Sequence, residues 1–492
     1  MLLFSNLSIF FRLFKFRTFR IVFIILSVLA GILLYQNRQD TENPTCRDCN
    51  LILISVDTLR ADHMGVYGYK KNTTPNIDNL ASNSFVFRNA YNTVPSTLPS
   101  FASLMTGLYP TSSLINDNLY LTDNQGKLAI NSNAKKEQFK HETLAQLLSD
   151  NGYVTGAFVT NAQLSSETGI SRGFKDYNVF LGPKEKETYE KFLGDSLNWL
   201  KKHKKNRFFL WIHLLDPHSP YKPPANLQCK FGHSSCNTLK TLSYDEIEKE
   251  RSSINNCKDS FEISSKLKST LEALYDGEIA YTDRLVQKIL SEVDSLDLKK
   301  NTVLVFLADH GEGIDHKYYF DHAHVLYESS IKIPLIITIP ANKKEVSIIE
   351  PVQNTDILPT LLDLLDIPKL GVSIDGKSFI DFLKGSFLSK TRPIFTVNTS
   401  WTKFSIIKGK YKYIYSPTGS CLMNGESEEL YNLEMDPNEI NNLALKEIAI
   451  VAKLKVALKS HFVNFLPKEA TNTYEKAPTS EELLKSVKQL GY

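Results

Sequence analysis

The sequence predicts an α/β fold: a mostly parallel central sheet covered by helices on both faces, plus a small C-terminal antiparallel sheet with a helix. Three runs are apolar almost throughout, "LILISVD" (51–57), "RFFLWIHLLD" (207–216) and "TVLVFLAD" (302–309). Strands without polar alternation are buried on both faces, as parallel strands are. Helical patterns lie between them, "ETLAQLLSDNGY" (142–153) and "LKSTLEALYDGEIAYTDRLVQKILSEV" (267–293), and this alternation builds a parallel sheet. From residue 393 the pattern changes to short alternating runs with Gly and Pro turns, the mark of antiparallel strands.

In chain order, the first element is an apolar run, Ile21 to Tyr35, preceded by Arg12, Lys15, Arg17 and Arg20. Basic residues before such a run place the N-terminus in the cytoplasm and the residues after the run across the membrane. Residues 1–20 are therefore expected as a basic cytoplasmic segment and 21–36 as a single-pass signal-anchor, with the rest of the chain outside (periplasmic or extracellular). A cleaved signal peptide is the alternative, because "VLAG" (28–31) offers small residues at a cut. Residues 37–49 read as a linker and 50–392 as the main domain. Residues 393–465 read as the antiparallel subdomain and 466–492 as a tail. "TGAFVTN" (155–161) and "IPLIITIP" (333–340) are further strands, and the polar segment 228–260 is a surface insertion.

Of 492 residues, 42% are hydrophobic and 23% charged, the balance of a globular protein. A net charge of +3 excludes a strongly basic nucleic-acid binder. The six cysteines, at 46, 49, 229, 236, 257 and 421, suit an exported chain. Disulfides are expected, with the pairing open. "CRDC" (46–49) has redox spacing but sits in a linker, and no cysteine pattern fits zinc.

In a parallel sheet the carboxyl ends of the strands share one edge, where ligands bind. Three predicted strands end in an acid there: Asp57, Asp216 and Asp309. His310 follows Asp309. In "TLPSFASLMTG" (97–107) Thr97 reads as a helix N-cap with Pro99 in the first turn. Taken alone, Thr97 reads first as a helix cap, Asp57 as a turn acceptor, and Asp309–His310 as a buried hydrogen-bonded pair. Together, two carboxylates, an imidazole and a hydroxyl suit a divalent cation with a mixed oxygen and nitrogen shell.

"VDTLRADHMGVYGY", "TPNIDNLA", "PSTLPSFASLMTGLYP", "DPHSPYKPP", "YDGEIAYTDRLV" and "ADHGEG…HAHVLYESSIKIPLII" occur in the order found in sulfatases, and "GKYKYIYSP…EELYNLEMDPNEINNLA" resembles that family's C-terminal subdomain. Over residues 50–465 the chain is thus similar to the sulfatase family of the alkaline phosphatase superfamily. The resemblance implies an alkaline phosphatase-like sheet and sulfuric ester hydrolysis. It implies metal ligands at Asp57, Thr97, Asp309 and His310, with Thr97 at the nucleophile position. His218 and one of His322 or His324 match residues that hold the sulfate or phosphate and protonate the leaving group. Arg60 and Asn161 sit beside site strands as further substrate contacts, with a salt bridge or a turn as the alternative. His63 and His316 are expected at the surface.

The departures shape the chemistry. Sulfatases that use formylglycine carry Cys-x-Pro-x-Arg or a Ser variant, whereas this chain has Thr97-Leu98-Pro99-Ser100-Phe101. Thr58 stands where many sulfatases have a second Asp ligand. The set resembles one metal site of the pyrophosphatase and phosphotransferase branches, which use a Thr nucleophile directly. One divalent ion is implied, with Mn or Zn fitting the imidazole better than Ca. A second ion on Asp216, His218 and His322 or His324 is the alternative to hydrogen-bonding roles. The expected substrate is a sulfated or phosphorylated small molecule, glycan or lipid head group, with phosphoryl or phosphonyl chemistry favoured by the Thr. A phosphoethanolamine-type head-group transferase and a non-catalytic binder of such glycans are the competing readings.

Overall fold

A computed structural model describes residues 45–113, 115, 120–122, 128–131, 141–181, 186–228, 230–232, 265–314, 322–340, 342–369, 371–386, 392–417, 427–462 and 474–476. The membrane segment expected over 21–36 and four of the cysteines lie outside the described residues, and of the expected tail only Tyr474–Lys476 is described, a strand that pairs antiparallel with Leu128–Asn131. His316 and most of the insertions also lie outside the described residues. No helix among the described residues is long and apolar enough to cross a membrane.

The central sheet has eight strands. In chain order these are β1 (Asn50–Val56), β2 (Phe85–Phe87), β3 (Val154–Val159), β4 (Asp176–Val179), β5 (Phe208–Leu214), β6 (Thr302–Ala308), β7 (Leu335–Thr338) and β8 (Val346–Ile348). Their spatial order is β8-β2-β7-β6-β1-β5-β3-β4. Every pairing is parallel except those of β7, which runs against both β6 and β2. The three apolar runs are the central strands, and β1, β5 and β6 are buried along their whole length.

Helices lie on both faces, and register shows it. In the β3–β5 ladder Gly156 pairs with Leu210 and Ala157 with Trp211, so Gly156 and Trp211 face opposite ways. Helix α1 (Thr97–Thr106) sets Phe101 against Trp211, ring centroids 4.9 Å apart. Helix α2 (Lys186–His203) brings Trp199 over the other face. It comes so near that a Cβ on Gly156 would stand 2.5 Å from the indole.

Strands β9 (Ile394–Val397), β10 (Phe404–Lys408), β11 (Tyr411–Tyr415) and β12 (Glu428–Asn432) form the expected antiparallel sheet in that order. Helix α3 (Ile448–His461) covers it, burying Val451, Leu454 and Leu458 against Val397, Phe404 and Leu430. At the seam with the main domain, Tyr91, Tyr327 and Ile331 pack on Ile407, Ile414 and Tyr431. Cys46 and Cys49 are disulfide-bonded to each other. Cys49 is buried and leads straight into β1, so the end of the expected linker already belongs to the core.

Candidate active site

Parallel register aligns the ends of β1, β5 and β6. Val56 pairs with Leu214 on one side and Ala308 on the other, so Asp57 and Asp309 leave the sheet side by side. The loop after β1 turns at once: Thr58 has φ 54°, a left-handed conformation uncommon for a β-branched residue. Its N–H donates to Asp309 Oδ1 at 3.2 Å and its carbonyl accepts from the Tyr275 hydroxyl at 2.6 Å.

Thr97 opens α1, but the N-cap is Ser96, which has extended backbone and no side-chain cap bond. The expected cap is therefore displaced by one residue. Thr97 stands in the first turn, free of the capping bond, with its hydroxyl facing the site. Its Oγ1 is 3.4 Å from His310 Nε2, and Asn161 Nδ2 lies 3.5 Å from it. Thr97 is fully buried.

Asp57, Asp309 and His310 form the one group of three potential metal-binding side chains among the described residues, with ligand atoms all within 4.8 Å of one another. Their hydrogen bonding suits a cation. Asp57 Oδ2 accepts from Asn161 Nδ2 at 2.6 Å, while Asp57 Oδ1 and Asp309 Oδ2 are buried and have no hydrogen-bond donor. Such orphaned carboxylate oxygens are costly unless an ion or water serves them. His310 Nδ1 donates to the Gly311 carbonyl at 2.9 Å, so a neutral ring turns the Nε2 lone pair towards the two acids. Burial, and then the nearby His322, hold the His310 pKa well below the usual value. Burial, reinforced by the Asp57 charge, drives Asp309 well above the carboxylate range. Burial also pushes Asp57 upward, but the His213 hydrogen bond and the charges of His218, His213 and His310 outweigh it and leave Asp57 low. Two facing acids, two orphaned oxygens and an imidazole lone pair fit one divalent cation. Asp216, His218 and His322 do not form a second such group among the described residues.

Of the two candidate histidines, the structure brings His322 into the site. It is buried and stacks on His310 at 4.2 Å, with its Nδ1 3.3 Å from Glu312 Oε1. His218 approaches it edge-on at 5.4 Å and donates from Nδ1 to the Ser219 carbonyl at 2.7 Å. His324 is exposed, and its carbonyl accepts from Lys403. The Arg60 guanidinium turns to Asp62 (2.6 Å) and the Glu312 carbonyl (3.3 Å). It lines a cavity of about 690 Å³ at the subdomain seam that includes neither Asp57 nor Thr97. Asn161 bridges Asp57 and Thr97, and its Oδ1 accepts from the Gln163 N–H at 2.9 Å, which fixes which end of the amide faces the site. His63, expected at the surface, is buried and pairs with Asp276 at 2.8 Å. Tyr69 and Lys71 reach the other Asp276 oxygen, each at 2.7 Å, so one acid on the long helix Ser265–Ser295 ties down the loop after Asp57.

Glu312 and His213 were not foreseen. His213 hid inside an apolar run, and Glu312 acquires meaning only through His322, which follows it by ten residues. Phe101, in place of the family's arginine, is buried with its ring edge-on to His213 at 5.1 Å.

A hydroxyl at a helix start, a mixed acid and imidazole cluster, and two further imidazoles at one sheet edge define a hydrolase of anionic esters. The sulfatase family model matches residues 49–367, and the C-terminal model of N-sulphoglucosamine sulphohydrolase matches 315–464. The chain belongs to the sulfatase family, whose members are sulfuric ester hydrolases. It is 25% identical over 494 residues to arylsulfatase K of Canis lupus familiaris, covering 90% of this chain and 87% of that one. It is 26% identical over 455 residues to an arylsulfatase of Clostridium perfringens, covering 81% and 90%. Among solved structures, one described in complex with its substrate D-glucosamine-2-N,6-O-disulfate superposes with a TM-score of 0.64 at 18% identity, covering 86% of this chain and 99% of that one. The phosphonate monoester hydrolase of Agrobacterium radiobacter gives 0.64 at 18%, covering 87% and 97%.

Proposed function

We propose that this chain hydrolyses an anionic ester with Thr97 itself as the nucleophile, and that Asp57, Asp309 and His310, with Thr97, hold one divalent cation. The observation that carries this reading is the buried Thr97 hydroxyl, set 3.4 Å from His310 Nε2 beside two orphaned carboxylate oxygens. A bound cation would supply charge neutralisation and a more acidic Thr97 hydroxyl. The Thr97 hydroxyl gives up its proton to water, and its Oγ forms the new bond to sulfur or phosphorus as the bond from that atom to the leaving ester oxygen breaks in line. The departing oxygen takes a proton from His218 or His322, the two further imidazoles buried in the site. Water then attacks the sulfur or phosphorus of the Thr97 ester, one of its protons returns to Thr97 Oγ, and the sulfate, phosphate or phosphonate is freed. Asn161 holds Thr97 and Asp57 in register throughout.

Family membership favours a sulfate ester, and the glucosamine disulfate held by a structural neighbour makes a sulfated glycan the first substrate to test. Thr97 itself favours a second reading. A threonine ester has no elimination route of the kind open to an aldehyde hydrate, so release needs a second in-line attack, which is ordinary at phosphorus. A phosphate or phosphonate ester is that second substrate class. The basic and apolar residues 12–35 support a membrane-anchored enzyme whose active site lies outside the cytoplasm.

The test is a paired assay of wild type and Thr97→Ala on an aryl sulfate, an aryl phosphate, a phosphodiester and a phosphonate monoester, each with Mn, Zn or Ca. Turnover that depends on Thr97 supports the proposal, and the substrate that turns over chooses between the two readings. Turnover that survives in Thr97→Ala overturns it.

A further inference from the structure

We infer that His213 is a positioning residue for the proposed cation site, fixed by a buried one-way chain of hydrogen bonds that begins at Trp211. The Trp211 indole Nε1 lies 2.8 Å from Ser55 Oγ, Ser55 Oγ lies 3.0 Å from His213 Nδ1, and His213 Nε2 lies 3.4 Å from Asp57 Oδ2. Ser55, Trp211, His213 and Asp57 are all fully buried. Register builds the chain, because Ser55 and His213 are direct partners across the β1–β5 ladder and Trp211 stands two residues before His213 on the same face.

Direction is set at the Asp57 end. An ionised carboxylate can only accept, so the proton between His213 and Asp57 Oδ2 sits on His213 Nε2. In the neutral ring Nδ1 is then an acceptor and takes the Ser55 hydroxyl hydrogen. The indole N–H of Trp211 can only donate, and it donates to Ser55 Oγ. Asn161 donates to the same oxygen at 2.6 Å. With Oδ2 held by two donors, Oδ1 is the Asp57 oxygen turned to His310 Nε2, 3.7 Å away. A carboxylate held by outer partners presents its free oxygen in one orientation, and such partners tune affinity for an ion. Phe101, edge-on to His213, closes the remaining side of the ring with apolar surface.

His213 has this role only if Asp57 holds a cation, as proposed above, so the readout is cation binding and not turnover. Titration calorimetry with MnCl₂ on the full-length protein compares wild type, His213→Leu and Ser55→Ala, with the melting temperature of each metal-free protein as a folding check. His213→Leu is expected to weaken Mn(II) by about 10- to 100-fold. Ser55→Ala frees the imidazole tautomer without emptying the space and is expected to weaken Mn(II) by a smaller factor. Should His213→Leu fail the folding check, Ser55→Ala carries the test. Wild-type affinity in a folded His213→Leu, or in Ser55→Ala when only that variant folds, overturns the role of His213. Failure of the wild type to bind Mn(II), Zn(II) or Ca(II) overturns the cation reading itself and His213's role with it. That outcome is seen without any variant.

Discussion

Thr97 Oγ1 and His310 Nε2 meet at 3.4 Å although 213 residues separate them in the chain. The contact exists because β6 ends in Asp309 beside β1, and because α1 begins where those strands stop. Ser100, one turn into α1, donates to the Asp309 carbonyl at 2.7 Å and locks the helix start to the strand end. Ser100→Ala should therefore lower kcat by about tenfold through misplacement of Thr97. Ser100 Oγ also accepts from Asn354 Nδ2 at 3.1 Å, so the melting temperature should fall as expected for two lost hydrogen bonds of about 1 kcal/mol each. Steady-state kinetics beside thermal melts checks this.

Asp276 gives an acid-side prediction. Burial raises its pKa, but His63 and Lys71 outweigh burial and hold it below the ordinary value. A lowered carboxylate stabilises the fold fully above the unfolded value, and that contribution is lost as pH falls through the native one. Asp276→Asn should lose on the order of 3 kcal/mol at neutral pH, because it breaks a buried pair. The gap to wild type should close on acidification. Denaturant melts across that range measure it.

Glu439 works with the opposite sign. Burial raises its pKa from 4.5 to about 7, with the Lys412 charge opposing the rise and the Glu328 charge adding to it. Stability linked to this group is complete below the unfolded value and declines as pH rises from 4.5 towards 7. Glu439→Gln should remove this decline, and wild type should lose on the order of 2 kcal/mol more than the variant across the window.

Gly156→Val tests the packing of α2 on the sheet. The added side chain meets the Trp199 ring at a distance where one of them must move. A loss of about 1–3 kcal/mol is expected, and Gly156→Val with Trp199→Leu should recover part of it. A double-mutant melting series checks the coupling.

Much of the fold and of the site is legible in the residues alone. Unbroken apolar runs identify β1, β5 and β6, and strand polarity places Asp57 and Asp309 on one edge. The limits are those of a linear reading. Ser96 and Thr97 both carry hydroxyls, so composition does not say which one caps the helix. His63 sits in the polar stretch "RADHMG" and looks exposed, yet Asp276, 213 residues on, buries it. His213 interrupts no pattern because a strand buried on both faces has no alternation to break. Arg60 lies next to the site in sequence, but its guanidinium is drawn to Asp62 and the Glu312 carbonyl. Each of these outcomes depends on a partner that only tertiary pairing supplies.

The most direct test of the central claim is to quench the enzyme during turnover of its best aryl ester and map the peptide containing residues 93–110 by mass spectrometry. A sulfuryl or phosphoryl group on Thr97, absent from Thr97→Ala and lost when substrate is exhausted, is the predicted result. Rapid turnover with Thr97 unmodified at every quench time, or undiminished turnover by Thr97→Ala, would contradict it.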